Sequence, residues 1–392
     1  MFRLDRIREA IRGERLAGWL FYNHLHRDRI ADRILDLPPD AVNTRPWLYL
    51  VPAAGEPEKI VHAVEASILD HLPGGTTVYR GREEFLARVK SAAAGTAGRW
   101  GAGFSRDFPR YSTLDHGTAL RLEALGLELA AADNLILHTL SVLDAEELRS
   151  HEEAGRDLYR IIGLVWERIG RHVIRDGMIL GEGEVLAWIM DLFDECGLET
   201  DGPLIVGAGR NTRLPHYFPQ GKGEPLRPGQ VIQLDIWGKK RTPGAVYADI
   251  SWSGVLAPVA PEPVSRVFAA VIRARDAAVA LLEERLARGQ TVSGAEVDEA
   301  ATASLLEAGF GAFIRHRTGH SIDAEVHGFG VNIDAVEQPD RRPLREGSCF
   351  SVEPGVYLDD FGIRTEIDVY IKSGRPVISG GVPQNGLLLA KE

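Results

Sequence analysis

The chain has 392 residues, which is more than one ordinary hydrophobic core holds and favours two domains. Its 44% hydrophobic and 26% charged residues are typical of a globular protein. The formal charge of −11 argues against a general affinity for nucleic acid or for an anionic membrane, so we expect neither as a partner.

The N-terminal segment and the cysteine content predict a cytoplasmic protein. Charged residues are spread through the first twenty positions, and the apolar stretch of a secretory signal peptide is missing from them. The sequence has no run of about 18 apolar residues, so we predict no membrane-spanning helix. Its two cysteines, Cys196 and Cys349, form no disulfide framework and suit a reducing compartment.

The first 140 residues alternate short apolar runs with helical patterns. The runs predict strands at residues 18–22, 47–51, 59–64, 77–79 and 100–104, and the patterns predict helices at 4–14, 83–92 and 114–125. Such alternation indicates a small α/β domain at residues 1–140. We find no set of catalytic residues in this part of the sequence.

A second domain is predicted at residues 148–392, after a boundary segment at 141–147. It opens with a long amphipathic helix, and a second helix at 184–196 ends at Gly197. Two later helices are predicted at 264–286 and 294–308. The last of them begins with Ser293 and Glu296 in the spacing of a capping box.

This second part contains a faint internal repeat. The ten residues that end in Asp235 align without gaps on the ten that end in Glu353, and both segments are apolar, strand-like runs. Each is followed by a strand pattern with another acid, Asp249 or Glu366, and each is preceded by two predicted helices. A glycine before a strand also recurs by chance, but the matching order of helices and acids favours a pseudo-two-fold domain with a site at its centre.

The four acids of the repeat have an unusual setting. A carboxylate within or at the end of an apolar strand is costly to bury without a counter-charge, and a turn toward solvent explains one such residue better than four. His320, between the two halves, supplies an imidazole. Four carboxylates and a neutral histidine balance two divalent cations. The oxygen-rich set favours Mn²⁺, Fe²⁺, Co²⁺ or Zn²⁺, and such a pair of ions can hold a bridging hydroxide and polarise a carbonyl.

Further polar residues occur close to these acids in the sequence. Arg364 stands two residues before Glu366, so on a strand both side chains point to the same face. Alone, a histidine is more often structural than catalytic, but several beside a dinuclear centre favour oxyanion stabilisation and proton transfer. The histidines in question are His216, His316 and His327.

Residues 148–378 resemble the pita-bread metallopeptidases, the family of Xaa-Pro aminopeptidase, prolidase, methionine aminopeptidase and creatinase. The resemblance implies an α/β (α+β) fold, with a small mixed-sheet, creatinase-type N-terminal domain followed by a pseudo-two-fold pita-bread catalytic domain. The motifs that carry it are Leu-Asp235, Tyr-Ala-Asp249-Ile, Gly-His320, Ser-Val-Glu353-Pro-Gly-Val-Tyr and Ile-Arg364-Thr-Glu366.

The resemblance also implies a role for each predicted ligand. Asp235 would chelate one metal ion, while Asp249 and Glu366 would bridge both ions. His320 and Glu353 would complete the other ion's shell. A bridging hydroxide would attack the scissile carbonyl, with Glu353 as the proton shuttle.

Residues that resemble the proline-specific branch surround these ligands. His216 and His327 would hold the substrate and its tetrahedral intermediate, and His316 with Arg364 would shape the outer site. The resemblance implies an Xaa-Pro dipeptidase or aminopeptidase that acts on short proline-containing peptides. It also implies a homodimer and two divalent ions, with manganese expected first and cobalt, zinc or iron as alternatives.

Three departures from the family pattern leave the substrate open. The first two ligands are fourteen residues apart instead of the usual eleven, which enlarges the turn at 239–244. Gly328 follows His327 where proline peptidases commonly carry an acid, and Ser321 and Asp323 replace small or apolar residues. We expect all of these positions near the substrate. They leave open a hydrolase or lyase of a small non-peptide metabolite. A binding module without catalysis is disfavoured, because no ligand is lost.

Overall fold

The computed structural model describes residues 2–38, 40–94 and 98–390. These residues form two compact units, one extending to Leu140 and the other starting at Ser141. Within the described ranges, no helix combines the length and the apolar character that crossing a bilayer requires.

The first unit is built on one six-stranded mixed sheet with the order β4-β3-β2-β1-β5-β6. Its strands are β1 Gly18–Asn23, β2 Trp47–Pro52, β3 Glu58–His62, β4 Gly75–Tyr79, β5 Arg99–Ala102 and β6 Glu128–Ala131. Its α-helices are α1 Leu4–Gly13, α2 Arg29–Ile34, α3 Arg82–Ala94, α4 His116–Ala124 and α5 Asp133–Leu140. The inner strands β1, β2 and β3 pair antiparallel, and β4, β5 and β6 join in parallel.

All five strands predicted for this unit are present, but α2, α5 and β6 were missed. Helix α2 has only six residues, and its N-cap Asp28, which accepts a hydrogen bond from the Ala31 amide, is a short-range signal without an apolar period to support it. The predicted strand at 59–64 ends early, because Ala63–Glu65 turns into a 3₁₀ helix. Local turns of this kind leave little trace in hydrophobic periodicity.

The second unit contains four long helices. They are α6 Ala145–Gly170, which continues into a π-helical turn at Arg171–Arg175, α7 Glu182–Cys196, α8 Glu262–Ala287 and α9 Gly294–Glu307. The predicted end of α7 is confirmed, since Gly197 takes a left-handed conformation with φ of 64°. The predicted capping box of α9 is confirmed as well, because Ser293 and Glu296 exchange both hydrogen bonds.

The strands of this unit form three sheets. They are β7 Leu198–Glu199, β8 Ile205–Ala208, β9 Val231–Lys240, β10 Ala248–Val255, β11 Cys349–Val352, β12 Gly355–Tyr357, β13 Gly362–Arg364, β14 Ile367–Lys372, β15 Arg375–Ile378 and β16 Leu388–Leu389. The first sheet has the order β16-β10-β9-β7 with β8 also on β9, the second has β11-β14-β15, and the third pairs β12 with β13. The apolar face of α6 packs on β9 and β10.

The two halves of the repeat differ in how they present their acids. Strands β9 and β10 form one continuous hairpin, in which Asp249 lies opposite Trp237. In the second half, β12 and β13 are inserted between β11 and β14. The prediction of a single strand around Glu366 is therefore wrong. Glu366 lies between β13 and β14, and its amide donates to the Ser251 carbonyl at 2.9 Å. This bond joins the second half to the first.

Replacing Ser293 with alanine tests the α9 cap. Loss of the side-chain bond to the Glu296 amide should lower the free energy of unfolding by about 1 kcal/mol. Ser265 is an exposed residue inside α8, and Ser265→Ala is the matched control. Chemical denaturation measures both, and equal stability of the two variants would contradict the cap assignment.

Candidate metal centre

All five predicted metal ligands line one cavity of about 170 Å³. Asp249, His320 and Glu366 are the most compact group, with one ligand atom from each within 4.8 Å of the others. The His320 Nε2 atom lies 3.5 Å from Glu353 Oε1 and 3.7 Å from Asp249 Oδ2. Asp235 lines the same cavity.

Strand pairing places the two aspartates. In the β9–β10 hairpin, Asp235 pairs with Ser251 and Asp249 pairs with Trp237. Partners in an antiparallel pair share a face, and so do residues two apart on one strand. Both carboxylates therefore project from the same face of the hairpin, and Trp237 lies on that face as well.

His320 reaches the cavity because the chain before it runs very close to β11. A Cβ atom on Gly319 would lie 2.0 Å from the Ser351 carbonyl oxygen, so glycine is required there. The His320 amide then donates to Ser351 Oγ at 3.0 Å, and the Glu353 amide donates to the Thr318 carbonyl at 2.6 Å. These bonds fix the imidazole next to the Glu353 carboxylate.

The His320 ring is oriented for coordination through Nε2. Its Nδ1 lies 3.2 Å from the Ser321 carbonyl, which can only accept, so Nδ1 carries the proton. Burial lowers the pKa of His320, and His327 adds to this effect. A neutral imidazole with its Nε2 lone pair facing carboxylates is the form that binds a divalent ion.

The buried carboxylates repel one another. Burial raises the pKa of Asp249 and of Glu366, and the charge of Asp235 raises both further. Burial also raises the pKa of Glu353 to about 7, although Arg364 opposes this shift. The Asp249 Oδ1 atom is buried and has no hydrogen-bond partner within the described part of the chain. These residues fit a divalent cation, which would neutralise the charge and occupy the orphaned oxygen.

Arg364 provides partial compensation. Its Nη2 pairs with Asp235 Oδ2, its Nε donates to Ser251 Oγ at 3.1 Å, and its Nη1 donates to the Tyr357 hydroxyl at 2.9 Å. Burial works against the charged form, but Tyr357 and Asp235 raise the pKa of Arg364. A guanidinium held in this way fixes the Asp235 carboxylate and offsets one of the four negative charges.

The predicted catalytic histidines occupy two different places. His216 and His327 line the cavity and are exposed, and the His327 ring centre lies 4.3 Å from that of His320. His316 is absent from the described residues that line the cavity. Its Nε2 lies 2.6 Å from the Tyr357 hydroxyl, and burial, with Arg364, lowers its pKa to about 3. His316 and Arg364 thus bond to the same Tyr357 hydroxyl, and the role of His316 in shaping the outer site stays a prediction.

The departures at positions 321, 323 and 328 lie together in one loop. Asp323 is fully buried, and its carboxylate accepts bonds from Ser141 Oγ at 2.5 Å and from the Phe329 amide at 2.8 Å. A Cβ atom on Gly328 would lie 2.8 Å from Asp323 Oδ2 and 2.9 Å from Ser321 Oγ. These residues form the interior of the loop that carries His327, and the expectation that they lie near the substrate stays a prediction.

Sequence reasoning missed the apolar wall of the cavity. Its members are Ile205, Phe218, Trp237 and Val326. Trp237 could have been found, because it stands two residues after Asp235 on a predicted strand. The other three lie in β8 or in loops, where no period indicates the direction of a side chain.

Glu182 is a second residue that the sequence did not reveal. It is fully buried at the start of α7 and accepts four hydrogen bonds, from the Ala208 amide, Asn211 Nδ2, the Tyr217 hydroxyl and the Glu224 amide, at 2.6–2.9 Å. Every donor comes from residues 208–224. The carboxylate therefore holds the segment that brings His216 and Phe218 to the cavity.

Comparison with known proteins identifies the class. Residues 153–373 match the model of metallopeptidase family M24. The chain is 30% identical over 170 residues to an Xaa-Pro dipeptidase of Lactobacillus delbrueckii subsp. lactis, covering 43% of this chain and 42% of that protein. It is 29% identical over 197 residues to an Xaa-Pro dipeptidase of Pyrococcus horikoshii, covering 48% of this chain and 50% of that protein. The matches thus span half or less of these relatives.

Solved structures agree on the fold. The dipeptidase PepE from Mycobacterium ulcerans superposes with a TM-score of 0.74 at 22% identity, covering 99% of this chain and 96% of that chain. The predicted mixed α/β pita-bread fold is thereby confirmed. The protein belongs to metallopeptidase family M24. Its buried Asp249, His320 and Glu366 form a group of donors that can hold a metal ion.

Glu182→Gln tests the support of the His216 segment. The amide group would direct two hydrogens at existing donors, so at least one buried bond is lost. We expect the free energy of unfolding to fall by roughly 1–3 kcal/mol. Glu195→Gln, at an exposed position of the same helix, is the control. Calorimetry measures both, and an unchanged melting temperature for Glu182→Gln would refute the role.

Glu366→Gln tests the charge imbalance without any activity measurement. Because the folded pKa of Glu366 lies above its ordinary value, its charge destabilises the metal-free protein as the pH rises past about 4.5. At pH 8 with a chelator, the variant should therefore melt at a higher temperature than the wild type. With Mn²⁺ present the order should reverse, since the variant loses a ligand. The same order in both conditions would contradict a cation site.

Proposed function

We propose that the protein hydrolyses the Xaa-Pro bond of short peptides with two divalent ions held by Asp235, Asp249, His320, Glu353 and Glu366. The observation that carries the proposal is the convergence of these buried donors beside the exposed His216 and His327 in one cavity. The Xaa-Pro dipeptidases among the relatives support the choice of bond. The dipeptidase and aminopeptidase forms of this activity both suit the site.

The bound ions would supply Lewis acidity, which polarises a carbonyl and lowers the pKa of water. Around them, Arg364 pairs with the Asp235 carboxylate and fixes its position. Glu353 is buried to all but 16% of its side chain, and its carboxylate lines the cavity, where it can take up and release a proton during the reaction. His216 and His327 lie at the exposed side of the cavity, where they can donate hydrogen bonds to the substrate.

The cavity limits the substrate to compact groups. Its volume is about 170 Å³, and the apolar side chains Ile205, Phe218 and Val326 form part of the lining. An apolar lining suits a proline ring, which has no amide hydrogen to satisfy. The small volume equally favours a second candidate, the hydrolysis of a compact non-peptide amide, which the test below includes.

Four further predictions accompany this function. We propose manganese as the first ion, because an oxygen-rich donor set with one imidazole suits it. A homodimer and a cytoplasmic location remain predictions from the sequence. The creatinase-type assignment of the N-terminal unit remains a prediction as well.

The test is hydrolysis by protein loaded with Mn²⁺, and in parallel with Co²⁺ or Zn²⁺. The substrates are an Xaa-Pro dipeptide, a tripeptide that begins Xaa-Pro, an Xaa-Ala dipeptide and a set of small amides. We expect cleavage of at least one proline peptide and a loss of 10²-fold or more in Asp235→Asn, because transition-state interactions are lost. Cleavage of the dipeptide alone assigns a dipeptidase, and cleavage of the tripeptide alone assigns an aminopeptidase.

Asp360→Asn, at an exposed position, is the matched control and should retain activity. Cleavage of the small amides without any proline peptide would replace the first candidate with the second. Full activity in Asp235→Asn would refute the proposed metal set.

A further inference from the structure

Trp237 stands at the centre of the first hairpin's inner face. It is two residues from Asp235 on β9, and it lies directly opposite Asp249 on β10. The three side chains share the face that lines the cavity. An indole at this point occupies volume immediately beside the two aspartates.

The indole is anchored at one end by a hydrogen bond. Its Nε1 donates to Asp201 Oδ1 at 2.9 Å. Trp237 is partly buried and packs against two hydrophobic clusters of this unit, one that contains Ile236 and one that contains Val326. The hydrogen bond and the packing contacts together restrain the ring.

The corresponding position of the other half is a glycine. The alignment that matches Asp235 to Glu353 also matches Trp237 to Gly355. A Cβ atom on Gly355 would lie 2.6 Å from the Tyr357 hydroxyl, so the second half fills this space with a side chain that supports Arg364. The bulk of Trp237 therefore makes the cavity asymmetric, with an aromatic wall on the first hairpin.

We propose that Trp237, fixed by Asp201, is the specificity-determining wall that limits the substrate to a compact group on the side of the β9–β10 hairpin. The inference rests on the proposed function, from which it takes the substrate class. It adds the residue that limits the size of the substrate. A rigid aromatic wall rejects a longer side chain by overlap and binds a small apolar group by contact.

The test compares kcat/KM for Gly-Pro, Ala-Pro, Leu-Pro and Phe-Pro with manganese-loaded protein. The wild type should favour Gly-Pro and Ala-Pro. In Trp237→Ala the ratio of Phe-Pro to Gly-Pro should rise by roughly tenfold or more, the range typical of reshaping an apolar pocket. Trp237→Leu should give a smaller rise and serves if the alanine variant folds poorly. Asp201→Ala, which releases the indole, should change the ratio in the same direction.

Trp252→Ala is the matched control, because Trp252 lies on the opposite face of the same hairpin and contacts Tyr159. It removes the same volume and should lower the melting temperature without changing the ratio. A purely structural role of Trp237 predicts lower stability in both variants and one constant ratio. That result would overturn the proposal.

A binding measurement separates failure of this proposal from failure of the proposed function. Calorimetry with acetohydroxamate and hexanohydroxamate reports the size limit of the metal-loaded cavity without any turnover. The longer chain should gain at least tenfold in affinity relative to the shorter one in Trp237→Ala. If no proline peptide is cleaved but this gain is seen, the wall stands and the reaction must be reassigned. Cleavage of proline peptides with no gain and no change of ratio would refute the wall alone.

Discussion

The constraint on which the site depends is the burial of unbalanced negative charge. Asp235, Asp249 and Glu366 are 6%, 5% and 2% exposed, Glu353 lies next to them, and Arg364 is the one permanent cation among the described residues that line the cavity. Removing one partner from a buried ionic group, or leaving it unpaired, costs several kcal/mol. Bound divalent cations would balance this buried negative charge. Metal binding would therefore be coupled to folding stability.

Repelling carboxylates stay close together only if rigid elements hold each of them. The bonds that do so cross between the two halves of the repeat. The Glu366 amide donates to the Ser251 carbonyl, and the Asp249 amide donates to Asp368 Oδ2 at 2.7 Å. Burial raises the pKa of Asp368, while the bond from the Asp249 amide opposes this shift. The cluster of buried ligands therefore depends on hydrogen bonds between the two halves of the repeat, and neither half could form it by itself.

The sequence predicted those parts of the fold and site that short-range patterns determine. Alternating apolar residues located Asp235 and Asp249, and cap residues located the ends of α7 and α9. The sequence could not predict contacts between distant residues. The strand break at Glu366 depends on Ser251, which is more than a hundred residues away. The partners of side chains in loops were not predictable either. Nothing near Asp323 in the sequence reveals that Ser141 bonds to it.

The repeat also explains which features of the cavity are symmetric and which are not. The acids follow the repeat, so the donor set reflects the duplicated framework. The wall does not follow it, since Trp237 corresponds to Gly355, and Ile205 comes from β8, which pairs only with the first hairpin among the described strands. A substitution in the wall can therefore change the cavity's shape while every ligand keeps its place. In this architecture, selectivity can vary independently of the metal chemistry.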